Sequence, residues 1–368
     1  MRAGPMTPDR PVLGIESSCD ETAAAVLDAE GRVLAEALFS QSAHAAYGGV
    51  VPEIAARAHL AALPALVERV MREAGVAFAD LAGVAATSGP GLIGGLIVGS
   101  GFAKGIALAH GLPFVAVNHL EAHALTARLP GLMQDRAAFP YLLLLVSGGH
   151  CQCVAVEGVG RYRRLGGTID DAVGEAFDKV AKLLGLGWPG GPALERVAMG
   201  GDAAQFVLPR PLKGRPGCDF SFSGLKTAVA QIVGRYPAGP LPARDAADLA
   251  ASFQAAVAEV LADRAEHAMA MFGAEITPHP GPPPQGGRES LLVVAGGVAA
   301  NAAVRAALQG VAEKHRFRFA APPLRLCSDN AVMVAWAGIE RLRLGLSDSL
   351  EHAPRPRWPL DAPDMVPA

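Results

Sequence analysis

The chain has little with which to build a disulfide scaffold. Its five cysteines, at 19, 151, 153, 218 and 327, are odd in number and scattered over 368 residues, which excludes a disulfide framework and fits a reducing cytoplasm. An excess of either charge is also missing. A formal net charge of -3 supplies no global attraction to nucleic acid, so such a partner has to be met by a local patch or through another protein. The basic clusters are small: Arg161-Tyr-Arg-Arg164 and Lys213-Gly-Arg215, with Lys226 further on, read as solvated loop charges. Residues 1–11 carry Arg2 and Arg10 but no apolar run, so a secretory signal is not expected. The one long apolar stretch, Leu92–Leu112, is interrupted by Lys104 and His110 and is rich in glycine. That predicts a packed or partner-facing helix rather than a membrane span. Cys151 and Cys153 share a strand face; with no second pair at finger spacing they read as packed thiols.

What is present is apolar bulk. A hydrophobic fraction of 51% over this length can bury a large core and suggests two domains or one duplicated fold. Short apolar strands alternate with helical stretches, which predicts an α/β architecture. Strands are expected at 12–16, 23–28, 33–40, 83–87, 114–118, 142–146, 151–157, 291–295 and 316–320, and long helices at 52–75, 92–109 and 244–272. The opening Leu13-Gly-Ile-Glu16, the turn Ser17-Ser-Cys-Asp20 and the strand from Ala23 are echoed by Leu142–Val146, the turn Ser147-Gly-Gly-His150 and Cys151–Glu157. Two apolar strands around a tight turn with a polar tip, used twice, predict an internal duplication around a cleft. Residues 277–288 are too rich in proline and glycine for a regular element and read as a surface insertion over 274–290; the tail from 352 to 368 is expected to be irregular.

Several motifs could carry chemistry. His119-Leu-Glu-Ala-His123 sets two imidazoles at i and i+4 on one helical face, and the distant turn Cys327-Ser-Asp-Asn330 offers Asp329. Two imidazoles and a carboxylate suit a hard or borderline ion such as Fe²⁺, Mn²⁺ or Zn²⁺. Asp329 could equally cap its own helix, and Cys327 reads as a buried thiol. The zinc-protease pattern H-E-x-x-H is not met, because Leu120 follows the first histidine and Glu121 lies two positions on. Gly89-Pro-Gly91-Leu-Ile-Gly94 matches a dinucleotide fingerprint in form only, since the next strand ends in Asn118 rather than an acid. Ser223-Gly-Leu-Lys226-Thr227 lacks the Gly-Lys adjacency of a P-loop. Asp171, Glu175 and Asp178 share a helix face that is either solvated or, near its end, able to hold ribose hydroxyls. Pro189-Gly-Gly-Pro192 and Ala295-Gly-Gly-Val-Ala-Ala-Asn301 add further glycine turns, so the chain has several places where backbone donors could meet a nucleotide.

Taken in order, Gly14-Ile-Glu-Ser-Ser-Cys-Asp-Glu-Thr22, His119-Leu-Glu-Ala-His123, Leu145-Val-Ser-Gly-Gly-His150, Ile169-Asp-Asp-Ala-Val-Gly-Glu-Ala-Phe-Asp-Lys179, Pro189–Pro192, Phe220-Ser-Phe-Ser-Gly-Leu-Lys-Thr227, Ala295–Val298 and Cys327–Asn330 closely resemble the bacterial tRNA threonylcarbamoyladenosine transferase family, once labelled O-sialoglycoprotein endopeptidase. The resemblance runs from about residue 12 to 345. It implies a duplicated actin-like ATPase fold of the sugar-kinase, heat-shock-chaperone and actin superfamily. One lobe would comprise 12–135 with 322–345 and the other 136–321. It implies transfer of threonylcarbamoyl from threonylcarbamoyl-adenylate to N6 of the adenosine 3′ of the anticodon in tRNAs reading codons that begin with A. Carried over by position, His119, His123 and Asp329 would hold one divalent ion, commonly iron. Leu145, Val146, Ser147, Gly148, Gly149, Asp178, Gly191 and Asn301 would line the adenylate site, and Asp20 and Glu21 would organise the acceptor or its proton. Glu195 stands where many relatives carry Asp, which puts its ligand contact in question. The family's partners would be tRNA, a noncatalytic paralogue subunit and a small P-loop ATPase, with helices 52–75 and 92–112 available to face the paralogue. A metalloprotease, a small-molecule kinase of the same fold and a noncatalytic scaffold subunit are the alternatives; the first lacks a placed base, and the other two have no need of a histidine metal site.

Overall fold

The structure, a computed structural model, describes residues 9–41, 44, 49–132, 137–276 and 289–362. The proline-rich stretch at 277–288, within the expected insertion, lies outside the described residues. The chain divides into two compact units, the first drawing on 1–138, 158–162 and 328–368, the second on 139–157 and 163–327.

Each unit is built on one five-stranded sheet. In the first, β1 (Val12–Glu16), β2 (Glu21–Leu27) and β3 (Val33–Ser40) form an antiparallel meander, and β4 (Gly83–Gly89) and β5 (Phe114–Asn118) extend it in parallel from β1, giving the order β3-β2-β1-β4-β5. In the second, β6 (Tyr141–Val146), β7 (Cys151–Gly158), β8 (Arg161–Gly167), β9 (Leu291–Ala295) and β10 (Arg318–Ala320) take the order β10-β9-β6-β7-β8, with β9 parallel to β6 and β10 parallel to β9. Traced from the meander edge, the two orders are the same. The duplication expected from two short turns is therefore a duplication of whole sheet topology.

Strand β8 corrects one expectation. Arg161-Tyr-Arg-Arg164 is not a loop but a strand with Tyr162 buried. Alternation of one aromatic with arginines is strand periodicity, which the charge content had masked.

The helices are α1 (Pro52–Ala74), α2 (Ile93–His110), α3 (His119–Leu125), α4 (Val173–Leu183), α5 (Gly190–Ala198), α6 (Ser223–Val233), α7 (Ala243–Ile276), α8 (Ala302–Lys314) and α9 (Ala331–Leu342). Small residues bring α9 onto the first sheet. A Cβ on Gly14 would stand 2.5 Å from the Ala335 nitrogen, and one on Gly338 would stand 2.6 Å from the Ala85 Cβ, so helix and strands meet almost backbone to backbone. Helix α2 is long and apolar enough to cross a membrane, yet it packs on the same unit. Its Gly95, Leu96, Gly99, Ser100, Ala103 and Ala107 are buried, and a Cβ on Gly95 would lie 2.3 Å from the Ser17 carbonyl. Of the C-terminal tail the structure describes 352–362, which form no helix or strand but are packed: the Arg355 N–H donates to the Ser88 carbonyl at 2.7 Å, and Trp358 and Leu360 are buried.

Candidate functional site

In the first unit the chemistry gathers at the C-terminal ends of the parallel strands β1, β4 and β5, where an open α/β sheet leaves its loops free. Asn118 ends β5 and caps α3 at once, its Oδ1 accepting from the N–H groups of Leu120 at 2.9 Å and Glu121 at 3.4 Å. The cap starts the helix at His119, so His119 and His123 stand one turn apart with rings edge to face at 4.8 Å. Across from them lies Asp329. Its Oδ1 is 3.3 Å from His119 Nε2 and 3.2 Å from His123 Nε2. The cap of α9 is Asn330, whose Oδ1 accepts from the Met333 N–H at 2.9 Å, so the capping role open to Asp329 falls to its neighbour. One ligand atom from each of His119, His123 and Asp329 lies within 4.8 Å of the other two.

This group is built for positive charge. Burial opposes a charged imidazole at His119, but Asp329 and Glu16 on either side outweigh it and raise His119 well above the usual histidine range. Burial likewise opposes ionisation of Asp329, and the two histidines overcome it to hold the carboxyl far below the usual range. A divalent cation would occupy the same charge vacancy that the His119 proton fills. The donor set fits such an ion.

Glu121, between the two histidines in sequence, faces elsewhere. Its Oε1 accepts from the Tyr162 hydroxyl at 2.9 Å and the Gly160 N–H at 3.2 Å, and its Oε2 from Arg341 Nη1 at 3.2 Å. A fully buried carboxylate engaged by three donors is a brace for α3 and is not available as the general base of a protease. Glu16 is a residue that sequence reasoning missed. It closes β1, is fully buried, and sets Oε2 3.2 Å from His119 Nδ1. The available signal was a lone acid ending the apolar strand Val12–Ile15.

The turn after Glu16 carries Asp20 and Glu21, the candidates for handling the acceptor. Burial first, then the negative charges of Asp329 and Asp20, push the Glu21 carboxyl up to about 9, so it keeps its proton at neutral pH in the absence of a cation on Asp329. From below, the turn is held by His59, whose Nε2–H donates to the Cys19 carbonyl at 3.1 Å while its Nδ1 lies 2.8 Å from the Thr22 hydroxyl. Burial pushes the Cys19 thiol far up, which makes it a poor nucleophile.

In the second unit the glycine turns collect at the C-terminal ends of β6 and β9. Leu145 and Val146 are strand residues with fully buried side chains, so only their backbone is left for a ligand. The turn that follows is closed by the Ser147 N–H donating to the His150 carbonyl at 2.7 Å and leaves Gly148 and Gly149 exposed. Gly296, at a φ of 95°, passes so near this turn that a Cβ would stand 2.4 Å from the Val146 carbonyl; no other residue fits there. The expected acidic helix face is not one face, because Asp171 precedes α4, whose cap is Ala172. Asp171 and Glu175 are engaged by Lys179 at 3.1 and 2.7 Å, and Asp171 also by Lys226 at 3.2 Å, whereas Asp178 accepts from the Gly190 N–H at 3.0 Å. Gly191 beside it has open space where a side chain would be. Asn301 caps α8 by accepting from the Val304 N–H at 3.0 Å, and Glu195 accepts from the Ala302 N–H at 2.7 Å. Glu195 thus braces the Asn301 turn. Lys213 of the second basic cluster is engaged by Glu259 at 2.7 Å, and the buried Cys327 thiol donates to the Pro322 carbonyl at 3.4 Å.

A model of the TsaD family, described as tRNA N6-adenosine threonylcarbamoyltransferase, matches residues 32–336. A relative from Granulibacter bethesdensis that bears the same description is 67% identical over 362 residues, covering 97% of this chain and 95% of the relative. The chain belongs to this family. The threonylcarbamoyltransferase of Rhodospirillum rubrum is 62% identical over 356 residues, 95% of this chain and 94% of the relative. Among solved structures, HypF of T. kodakarensis aligns with a TM-score of 0.57 at 13% identity, over 92% of this chain and 48% of that one. That likeness concerns the fold alone, and the fold of this threonylcarbamoyltransferase family member is the actin-like ATPase fold: two mixed five-stranded sheets flanked by helices.

Proposed function

We propose that this chain transfers the threonylcarbamoyl group of threonylcarbamoyl-adenylate to N6 of the adenosine 3′ of the anticodon in tRNAs reading codons that begin with A, releasing AMP. The observation that carries the reading is near-complete, 67% identity to a curated tRNA N6-adenosine threonylcarbamoyltransferase. The His-His-Asp group adds independent support, since neither a kinase nor a scaffold of this fold requires it.

In the reaction the N6 amine adds to the carbamoyl carbon, the bond from that carbon to the phosphate oxygen breaks, and AMP leaves with the bonding pair while the amine loses a proton. No nucleophile on the protein is needed; orientation and charge stabilisation suffice. His119 and His123 through Nε2, and Asp329 through Oδ1, would hold one divalent cation, with Fe²⁺ proposed ahead of Zn²⁺ or Mn²⁺. When bound, such an ion supplies a Lewis acid able to polarise a phosphate or carbamoyl oxygen. Exposed Gly148 and Gly149 would admit the adenylate close to the backbone after β6, Gly191 would leave room beside Asp178 for the ribose, and Asn301 would close the turn with Glu195 as its brace. Asp20 and Glu21 would orient the acceptor amine; a Glu21 that holds its proton can donate but not take one up, so the amine's proton would pass to Asp20.

A chain with net charge -3 meets tRNA most readily in company. Leu60 of α1 and Ile97 of α2 are 66% and 56% exposed; apolar side chains left open on these two helices suit docking by the noncatalytic paralogue. A small P-loop ATPase completes the proposed cytoplasmic assembly. The test combines the purified chain, these two partners, ATP, threonylcarbamoyl-adenylate and unmodified tRNA, with nucleosides resolved by mass spectrometry. Modified adenosine with wild type and its loss in a folded His119→Ala variant are expected; equal yields from the two would overturn the metal-dependent reading.

A further inference from the structure

The two histidines of the metal group are not equivalent. Behind His123 the Nδ1 atom is buried with no hydrogen-bond partner. Behind His119, Nδ1 faces Glu16 Oε2 at 3.2 Å, with the Ser18 hydroxyl oxygen at 3.3 Å as a second neighbour. Glu16 is itself fixed from two other elements. Its Oε1 accepts from the Ser18 N–H at 2.6 Å, and its Oε2 accepts from the Thr87 hydroxyl of β4 at 2.5 Å. A fully buried carboxylate is costly to place at the end of a central strand, and packing does not call for one there. What it does is restrict a neighbour: an ionised carboxylate only accepts, so the His119 Nδ1 must carry a proton toward it. The proton that a cation displaces is then the one on Nε2, the atom that faces Asp329 at 3.3 Å, and that atom's lone pair becomes the ligand.

We propose that Glu16 is a positioning residue that sets the tautomer and ring orientation of His119 and thereby the cation affinity of the His119/His123/Asp329 group. The inference rests on the reading of that group as a cation site. A glutamine at 16 keeps the shape and an acceptor for the Ser18 N–H but turns an amide N–H₂ toward the Thr87 hydroxyl and His119. His119 then accepts at Nδ1 and carries its proton on Nε2, the face that should bind the ion.

The experiment titrates Zn²⁺ and Co²⁺ into the full-length metal-free chain against a chromophoric chelator, comparing wild type, Glu16→Gln, Thr87→Val and His119→Ala, with circular dichroism confirming the fold. The expected result is a loss of affinity of about 10–100-fold for Glu16→Gln, a smaller loss for Thr87→Val, and no specific binding for His119→Ala. Affinity in folded Glu16→Gln within about 2-fold of wild type, well short of the loss a supporting partner accounts for, overturns the proposal and leaves the cation site standing. Wild type that binds neither ion overturns both. A second measurement needs no variant. In the zinc-loaded protein, ¹⁵N shifts of labelled histidine should show His119 ligated through Nε2 with a protonated Nδ1, and ligation through Nδ1 overturns the proposal.

Discussion

Removing the Glu121 carboxylate should unfold the first unit's support for α3 without touching the cation group directly. Glu121 is fully buried and paired with Arg341, whose side chain is 5% exposed. The second acid near that guanidinium, Asp348, is 3.8 Å away. In Glu121→Ala the Arg341 charge stays in the core with this weaker partner alone, and breaking a buried pair from one side costs about 3–5 kcal/mol. The Tyr162 hydroxyl and Gly160 N–H, which donate to Glu121 at 2.9 and 3.2 Å, lose their acceptor and add about 1–3 kcal/mol each where water does not reach them. The expected total is thus at least about 3 kcal/mol. Urea unfolding in a Trp188→Phe background, followed by the fluorescence of Trp336 and Trp358, reads the first unit, where both remaining tryptophans are buried. Pairing the variant with Arg341→Met should recover part of the loss, because the stranded charge is gone. A loss below about 1 kcal/mol would refute the brace. So would a Glu121→Gln variant that is as stable as wild type yet inactive, because the carboxylate would then be doing chemistry.

Two further outcomes follow from the same unit. Gly95→Ala should destabilise by about 1–2 kcal/mol, since the added Cβ would lie 2.3 Å from the Ser17 carbonyl and force α2 off the turn. Gly101→Ala on the same helix meets nothing within 4 Å and should gain up to about 1 kcal/mol of helix propensity; thermal melts that rank the two in the opposite order would contradict the packing. Glu21 should give the metal-free protein a pH slope. Its carboxyl is raised from 4.5 to about 9 on folding, so between those values the unfolded chain has released a proton that the folded chain still holds. Unfolding is favoured as pH rises through that window. The wild-type stability minus that of Glu21→Gln should therefore fall from pH 5 to pH 9 (about the window of the shift), and a flat difference would show that Glu21 ionises in place.

Elements whose sequence period agrees with their burial were legible without coordinates. Strands β1, β5 and β9 fall on the apolar runs Val12–Glu16, Phe114–Asn118 and Leu291–Ala295, because a strand buried in a sheet reads as a short apolar run ended by turn residues. Strand β8 was not legible: three of its first four residues are arginines, exposed or half-buried, and Tyr162 is its one large buried side chain. Nor was the packing of the tail, since the hydrogen bond from Asn118 Nδ2 to the Trp358 carbonyl at 3.0 Å joins residues far apart in sequence.

The His119–His123 pair was determined by the chain alone, because helical period puts i and i+4 on one face wherever the helix lies. The Glu175–Lys179 pair at 2.7 Å is likewise one helical turn, but the engagement of Asp171 by Lys226 at 3.2 Å needed the fold, and so did the release of Asp329 from capping, which depends on Asn330 doing that work instead. Glu16 stands furthest from local reasoning. Its meaning comes from a strand end, a threonine on the next strand and a histidine on a helix after the fifth strand, three segments that only the parallel order β1-β4-β5 brings to one edge. Local periodicity sets which side chains leave an element together; sheet order, which is a matter of long-range pairing, sets what they meet.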